Sequence, residues 1–167
     1  DLVAVDLVRH GRFGLPSAKV KERLGSLKSE KAISLIAIHT HGIPNAFRPE
    51  TLAEADTARE ATMDGREDWR KLPLVTIDPA DAKDHDDAVH AEPDPNPANE
   101  GGFILTVAIA DVAAYVHEGS AMDREARHRG NSVYFPDRVV PMLPERISND
   151  LCSLRPNEDR AALAVRI

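Results

Sequence analysis

Apolar and polar positions alternate in some stretches of this chain and run together in others, and the two patterns predict different elements. Phe103, Leu105, Val107 and Ile109 recur at every second position, so 103–110 predicts a strand with those four on one face. Ala88 to Glu92 predicts its hairpin partner across the Pro-, Asn- and Gly-rich stretch 93–102. Leu74 to Ile77 is a short, mostly apolar run that predicts a strand delivering Asp78 at its end. Residues 1–9 predict a strand, with a turn around Gly11 and Gly14. Pro16 and Ser17 then predict a short helix to about Leu24, closed by Gly25. Ala32 to Ile38 is apolar almost throughout and fits a strand or a buried helix. A loop is predicted over 39–45, and a helix over 51–61 with Pro49 as its first residue. Gly65 to Pro73 reads as a charged connection. Ser120 and Asp123 predict a capping box opening a helix that ends at Gly130. Residues 132–140 read as extended, 144–154 as weakly helical and 161–167 as a last strand. Together these make an α+β chain, a mostly antiparallel sheet with flanking helices.

At 167 residues the chain is long enough for one substantial core or two small lobes. It has no long uncharged apolar run and no signal-peptide pattern at its start. A single cysteine, Cys152, excludes an internal disulfide framework and is compatible with a reducing cytoplasm. The chain opens and closes inside strand-like segments, without an initiator methionine, so the expectation is a fragment of a longer protein.

The net charge of −7 would ordinarily argue against a nucleic-acid partner. Its location changes that argument. Residues 73–100 hold eight acids and one base, and the rest of the chain holds 20 of each. The excess is therefore local. Five aspartates (Asp78, Asp81, Asp84, Asp86, Asp87) lie within ten residues. Carboxylates packed so closely repel one another unless a positive charge sits among them. A hard divalent cation such as Mg²⁺, which prefers oxygen ligands, removes that cost.

Rival readings of the loop fit less well. A solvated acidic face is the ordinary fate of a charge run, but here the run follows an apolar strand that anchors its first carboxylate. An EF-hand requires Gly at the sixth position and Glu at the twelfth, and counting from Asp78 these are Lys83 and Val89. Zinc requires closely spaced His or Cys, and His39 and His41 have no third ligand nearby. His85 reads as a bystander within the loop. An aspartyl-phosphate nucleophile would sit at a strand end, where only Asp78 does, without a second Asp two residues later.

Thr76-Ile77-Asp78, followed by Asp81-Ala82-Lys83-Asp84-His85-Asp86-Asp87-Ala88, resembles the signature of the ribonuclease II/ribonuclease R (RNB) family. Further matches follow in order: Val107 to Val112, Arg127 to Pro136, Pro141 to Pro144 and Ser148 to Leu154. His41-Gly42-Ile43-Pro44 and Leu52-Ala53-Glu54-Ala55 resemble the entry to the same catalytic domain. The bacterial ribonuclease R branch is the nearer one, and the resemblance covers most of the chain from about Ile33.

The resemblance implies three segments: a cold-shock (OB-type) remnant over 1–15, a helical linker and entry segment over 16–72, and the N-terminal part of the catalytic domain over 73–167. It implies a processive 3′→5′ exoribonuclease acting on single-stranded RNA with Mg²⁺ (or Mn²⁺ in its place) and releasing 5′-monophosphates. Asp78, Asp84, Asp86 and Asp87 match the family's active-site aspartates, Asp86 being tied to the chemical step and all four to metal. Tyr134 matches an aromatic that stacks near the 3′-terminal base, although Tyr134 also fits a core position beside Phe135. Arg127, Arg129, Arg138 and Arg146 are candidates for phosphate contact or for surface ion pairs. The family's later portion supplies an arginine, an acidic residue and a second aromatic that this sequence does not contain. The fragment is therefore expected to be nearly inactive, and the full-length protein to be a cytoplasmic monomer with no membrane partner. Alternatives are a non-catalytic RNA-binding relative and a phosphohydrolase of small substrates.

Overall fold

The computed structural model describes residues 1–8, 16–26, 29 and 32–167. They form two compact units, one of residues 1–46 with 131–142 and one of residues 47–130 with 143–167.

In the first unit, β1 (Leu2–Val8) pairs antiparallel with β2 (Ser17–Gly25). The helix expected over 17–24 is thus a strand. Ala, Lys, Glu, Arg and Leu favour a helix locally, but seven rungs of pairing to β1 satisfy the backbone instead. Gly25 still ends the element, at a positive φ of 126°. The turn expected around Gly11 and Gly14 lies outside the described residues. Helix α1 (Ala32–His41) resolves the apolar run as helical and extends into the expected loop, burying Ala32, Ser34 and Ile38. Ser34 Oγ donates to Asp137 Oδ2 at 2.9 Å, tying α1 to the turn of a short hairpin, β5 (Val133–Phe135) and β6 (Arg138–Val140).

The second unit carries the acidic loop. Helix α2 (Pro49–Thr57) begins at Pro49 as expected and stops at Thr57, short of Ala61, because the chain turns extended at Ala58. Strands β3 (Asp87–Pro93) and β4 (Phe103–Ala110) form the expected hairpin. β7 (Ala162–Arg166) pairs antiparallel with the other edge of β4, giving the order β3-β4-β7. The run 74–77 contributes one bridge, Val75 to Val89, rather than a full strand. Helix α3 (Ala121–Arg129) is capped as predicted: Ser120 Oγ accepts from the Asp123 N–H at 3.2 Å, and Gly130 closes it at φ 80°. The 144–154 region forms a π-helical turn at Ile147–Leu151.

A core of Ala55, Ala110, Tyr115, Met122, Leu143, Ile147, Leu151 and Cys152 packs α2 and α3 against the ends of the strands. The sheet face turned toward cover is the small-residue one, with Ala88, Thr106, Ala108 and Ala110 buried. The alternating face Phe103, Leu105 and Ile109 stays open, as do Leu163 and Val165 beside it on β7. Alternation correctly groups these side chains on one face. It carries no information about which face is covered.

Candidate active site

The acidic loop is held at both ends by backbone pairing. At its start, Val75 exchanges hydrogen bonds with Val89 at 3.0 and 2.8 Å. At its finish, the Ala110 N–H donates to the Asp86 carbonyl at 2.9 Å as β3 enters the hairpin. Asp78, Asp84, Asp86 and Asp87 therefore all project from one short excursion at one end of the sheet.

Asp78 and Asp86 feel opposite electrostatics. The His85 ring Nδ1 lies 2.9 Å from Asp78 Oδ2 and 3.4 Å from Thr76 Oγ1. The His85 contact, followed by a hydrogen bond from Thr76, lowers the Asp78 pKa. Asp86 is raised, first by desolvation and then by the charges of Asp84, Asp87 and Asp78, with His85 offsetting them in part. Asp86 is exposed by surface area, yet it senses all three other carboxylates. Asp84, Asp87 and Asp78 thus lie near enough to Asp86 for their charges to act on it.

Their donor chemistry is hard, anionic oxygen, which fits Mg²⁺. Among the described residues no three His, Cys, Asp or Glu side chains already stand as a metal-holding group. The carboxylates are near enough to repel but are not closed on one point, and Asp78 is engaged with His85. His85, read from the sequence as a bystander in the loop, contacts Asp78. The signal in the sequence was its place between Asp84 and Asp86.

Asp111 directly follows β4, and the Arg66 Nη2 donates to its Oδ2 at 2.7 Å. Asp111 and Asp86 both contribute to raising the Cys152 thiol, after burial, to about 12. Ser153, fully buried, contacts the loop backbone directly. Sequence reasoning assigned Ser153 no role, because it lies about 70 residues away along the chain.

The other candidates separate. Tyr134 lies on β5 in the first unit and is 66% exposed, which is not a core position. Arg127 pairs with Asp123 at 3.1 Å and keeps an exposed side chain. Arg129 departs from expectation. Its side chain is 2% exposed, bonds Glu125 Oε1 at 2.9 Å and lies over the Phe47 ring at 3.8 Å. That guanidinium neutralises a buried carboxylate and is not presented to a phosphate at the surface. Arg138 and Arg146 pair with Asp137 and Asp150.

A cleft of about 710 Å³ opens over the small-residue face of the sheet, lined by Trp69, Leu72, Ala88, Ala108, Ala164 and Arg160 among others. None of the four aspartates lines it. No helix among the described residues is long and apolar enough to cross a membrane.

Comparison with known proteins agrees with this layout. The RNB domain model matches residues 66–167. Ribonuclease R of Acidithiobacillus ferrooxidans is 53% identical over 153 residues, covering 89% of this chain and 34% of the relative. Ribonuclease R of Escherichia coli is 46% identical over 149 residues, covering 87% of this chain and 18% of the relative. This chain thus spans about a third or less of the length of these curated relatives. Mycoplasma genitalium RNase R in complex with double-stranded RNA superposes at a TM-score of 0.85 with 34% identity, over 99% of this chain and 29% of that one. Yeast Ssd1, a pseudonuclease, shares the fold at a TM-score of 0.63 and 21% identity. The ordered motifs, the antiparallel sheet that carries the acidic loop and the match over 66–167 lead to one assignment: the chain belongs to the RNB domain family.

Proposed function

We propose that this chain carries the metal-binding loop of a Mg²⁺-dependent, processive 3′→5′ exoribonuclease that hydrolyses single-stranded RNA to 5′-monophosphates. The observation that carries the proposal is the raised Asp86, surrounded by Asp84, Asp87 and Asp78 at one end of the sheet. His85 offsets that repulsion in part.

Asp84, Asp86 and Asp87, with Asp78, would hold Mg²⁺ (Mn²⁺ in its place). When bound, paired divalent cations supply an activated water and stabilise the leaving 3′ oxygen. The chain's own part is positional. The strand pairing at Val75 and Asp86 fixes the two ends of the loop. His85 keeps Asp78 ionised. Tyr134, exposed on its hairpin, offers a π-face to a terminal base without reading sequence, and Arg127 keeps an exposed guanidinium that could contact a phosphate. The full-length protein is proposed to act as a cytoplasmic monomer on RNA 3′ ends.

The pseudonuclease neighbour shows that this fold also occurs without nuclease activity. The test is therefore a graft. This chain replaces the matching segment of E. coli ribonuclease R, and a uniformly labelled single strand is incubated with Mg²⁺. The expected result is mononucleotide release by the graft, none by its Asp86→Asn variant, and little or none by the isolated chain. A graft that binds the strand without cutting it, unchanged by Asp86→Asn, would instead favour a non-catalytic RNA-binding relative.

A further inference from the structure

We infer that Ser153 is a positioning residue that sets the backbone of the acidic loop, so that Asp84 and Asp86 are presented together to a metal ion. The inference rests on the reading of the loop as a metal site.

The Ser153 side chain is fully buried and uses both halves of its hydroxyl on the loop. It accepts from the His85 N–H at 3.1 Å and donates to the Lys83 carbonyl at 3.1 Å. The next residue adds a third bond, the Leu154 N–H donating to the His85 carbonyl at 2.8 Å. The main chain is therefore gripped on either side of Asp84 and immediately before Asp86. Four acids placed this closely would otherwise drive the loop apart.

The clamp is itself braced from behind. Arg160 Nε donates to the Asp150 and Ser153 carbonyls, each at 3.1 Å, and its side chain is 7% exposed. The turn that carries Ser153 closes with the Cys152 N–H on the Ile147 carbonyl at 2.8 Å, and Ile147 is fully buried in the core. A buried turn thus holds the loop by its backbone. Ligand groups held through such supports depend on them nearly as much as on themselves.

Ser153→Ala removes the hydroxyl and leaves the Lys83 carbonyl and His85 N–H without that partner. The experiment titrates the 167-residue chain with Mn²⁺, following free ion by electron paramagnetic resonance, and measures amide hydrogen exchange at His85. Thr51→Ala serves as the control. It removes another buried hydroxyl of the same unit, one that touches Ala121 rather than the loop. The expected result is Mn²⁺ affinity at least tenfold weaker and faster His85 exchange in Ser153→Ala, with both unchanged in Thr51→Ala. Equal affinity in wild type and Ser153→Ala would overturn the inference while leaving the metal reading intact. Equal losses in both variants would also overturn it, since general loosening would then explain them. A wild-type chain that takes up no Mn²⁺ would sink the metal reading and this inference with it. Should Ser153→Ala fail to fold, Ser153→Cys, with a weaker donor and acceptor at similar volume, reads the same two quantities.

Discussion

Replacing Asp86 by Asn should stabilise the metal-free chain at neutral pH while weakening its response to Mg²⁺. The folded state raises the Asp86 pKa, through desolvation and then the charges of Asp84, Asp87 and Asp78. A carboxyl with a raised pKa holds its proton more tightly folded than unfolded. Its contribution to stability is therefore present at acid pH and is lost as pH rises from the ordinary value of 3.8 through the raised one. Asn carries no charge and should not show that loss. Because the site is open to water, each like-charge contact is worth only some tenths of a kcal/mol to about 1 kcal/mol. Three such contacts put the expected gain at about 1–2 kcal/mol, or roughly 2–8 °C in Tm for a chain of this size. Asp78 has the opposite sign, since its pKa is lowered, chiefly by His85 and Thr76, which both proteins keep. The assay is thermal unfolding by circular dichroism in chelator at pH 4 and pH 7.5, repeated with Mg²⁺. Ten times the Kd of Mg²⁺ should stabilise wild type by about 1.4 kcal/mol and the variant by much less. An Asn variant no more stable than wild type at pH 7.5, or one stabilised equally by Mg²⁺, would refute the reasoning.

The other predictions concern the unit that supports the loop. Arg129→Ala should cost about 1–3 kcal/mol in urea unfolding, because Glu125, whose side chain is 3% exposed, loses its 2.9 Å partner and keeps the longer Arg48 contact at 3.4 Å. Arg127→Ala should stay within about 0.5 kcal/mol of wild type and weaken RNA binding in a filter assay, since that guanidinium is exposed. Met122→Ala should cost about 2–5 kcal/mol, since the side chain is fully buried between α2 and α3. Cys152 should react with a thiol reagent only as fast as the unit opens, because it is 3% exposed and its thiol is pushed up to about 12.

Much of the fold could be read locally. The β3–β4 hairpin, the Ser120 cap and the Pro49 helix start are each set by a few neighbouring residues. β2 could not be read this way, because its strand form depends on pairing with β1, which lies earlier in the chain. The covered face of β4 was also beyond the pattern. Phe103, Leu105 and Ile109 look like the inward set, yet the small residues Thr106, Ala108 and Ala110 are the buried ones. For the site, composition pointed to a loop of five aspartates, since few other arrangements tolerate such a density of like charge, and the family resemblance narrowed them to four. The supports were not legible: Ser153, Arg160 and the Arg66–Asp111 pair reach their partners only through the tertiary fold. Arg129 shows the converse error, a basic residue in a family motif whose charge is consumed inside the protein.

The most direct measurement is a crystal of the chain grown with Mn²⁺, with diffraction recorded at the manganese absorption edge. The account predicts an anomalous peak within about 2.0–2.3 Å of carboxylate oxygens from at least two of Asp78, Asp84, Asp86 and Asp87. A crystal with the loop well ordered, its carboxylates turned to solvent and no peak among them, would contradict it.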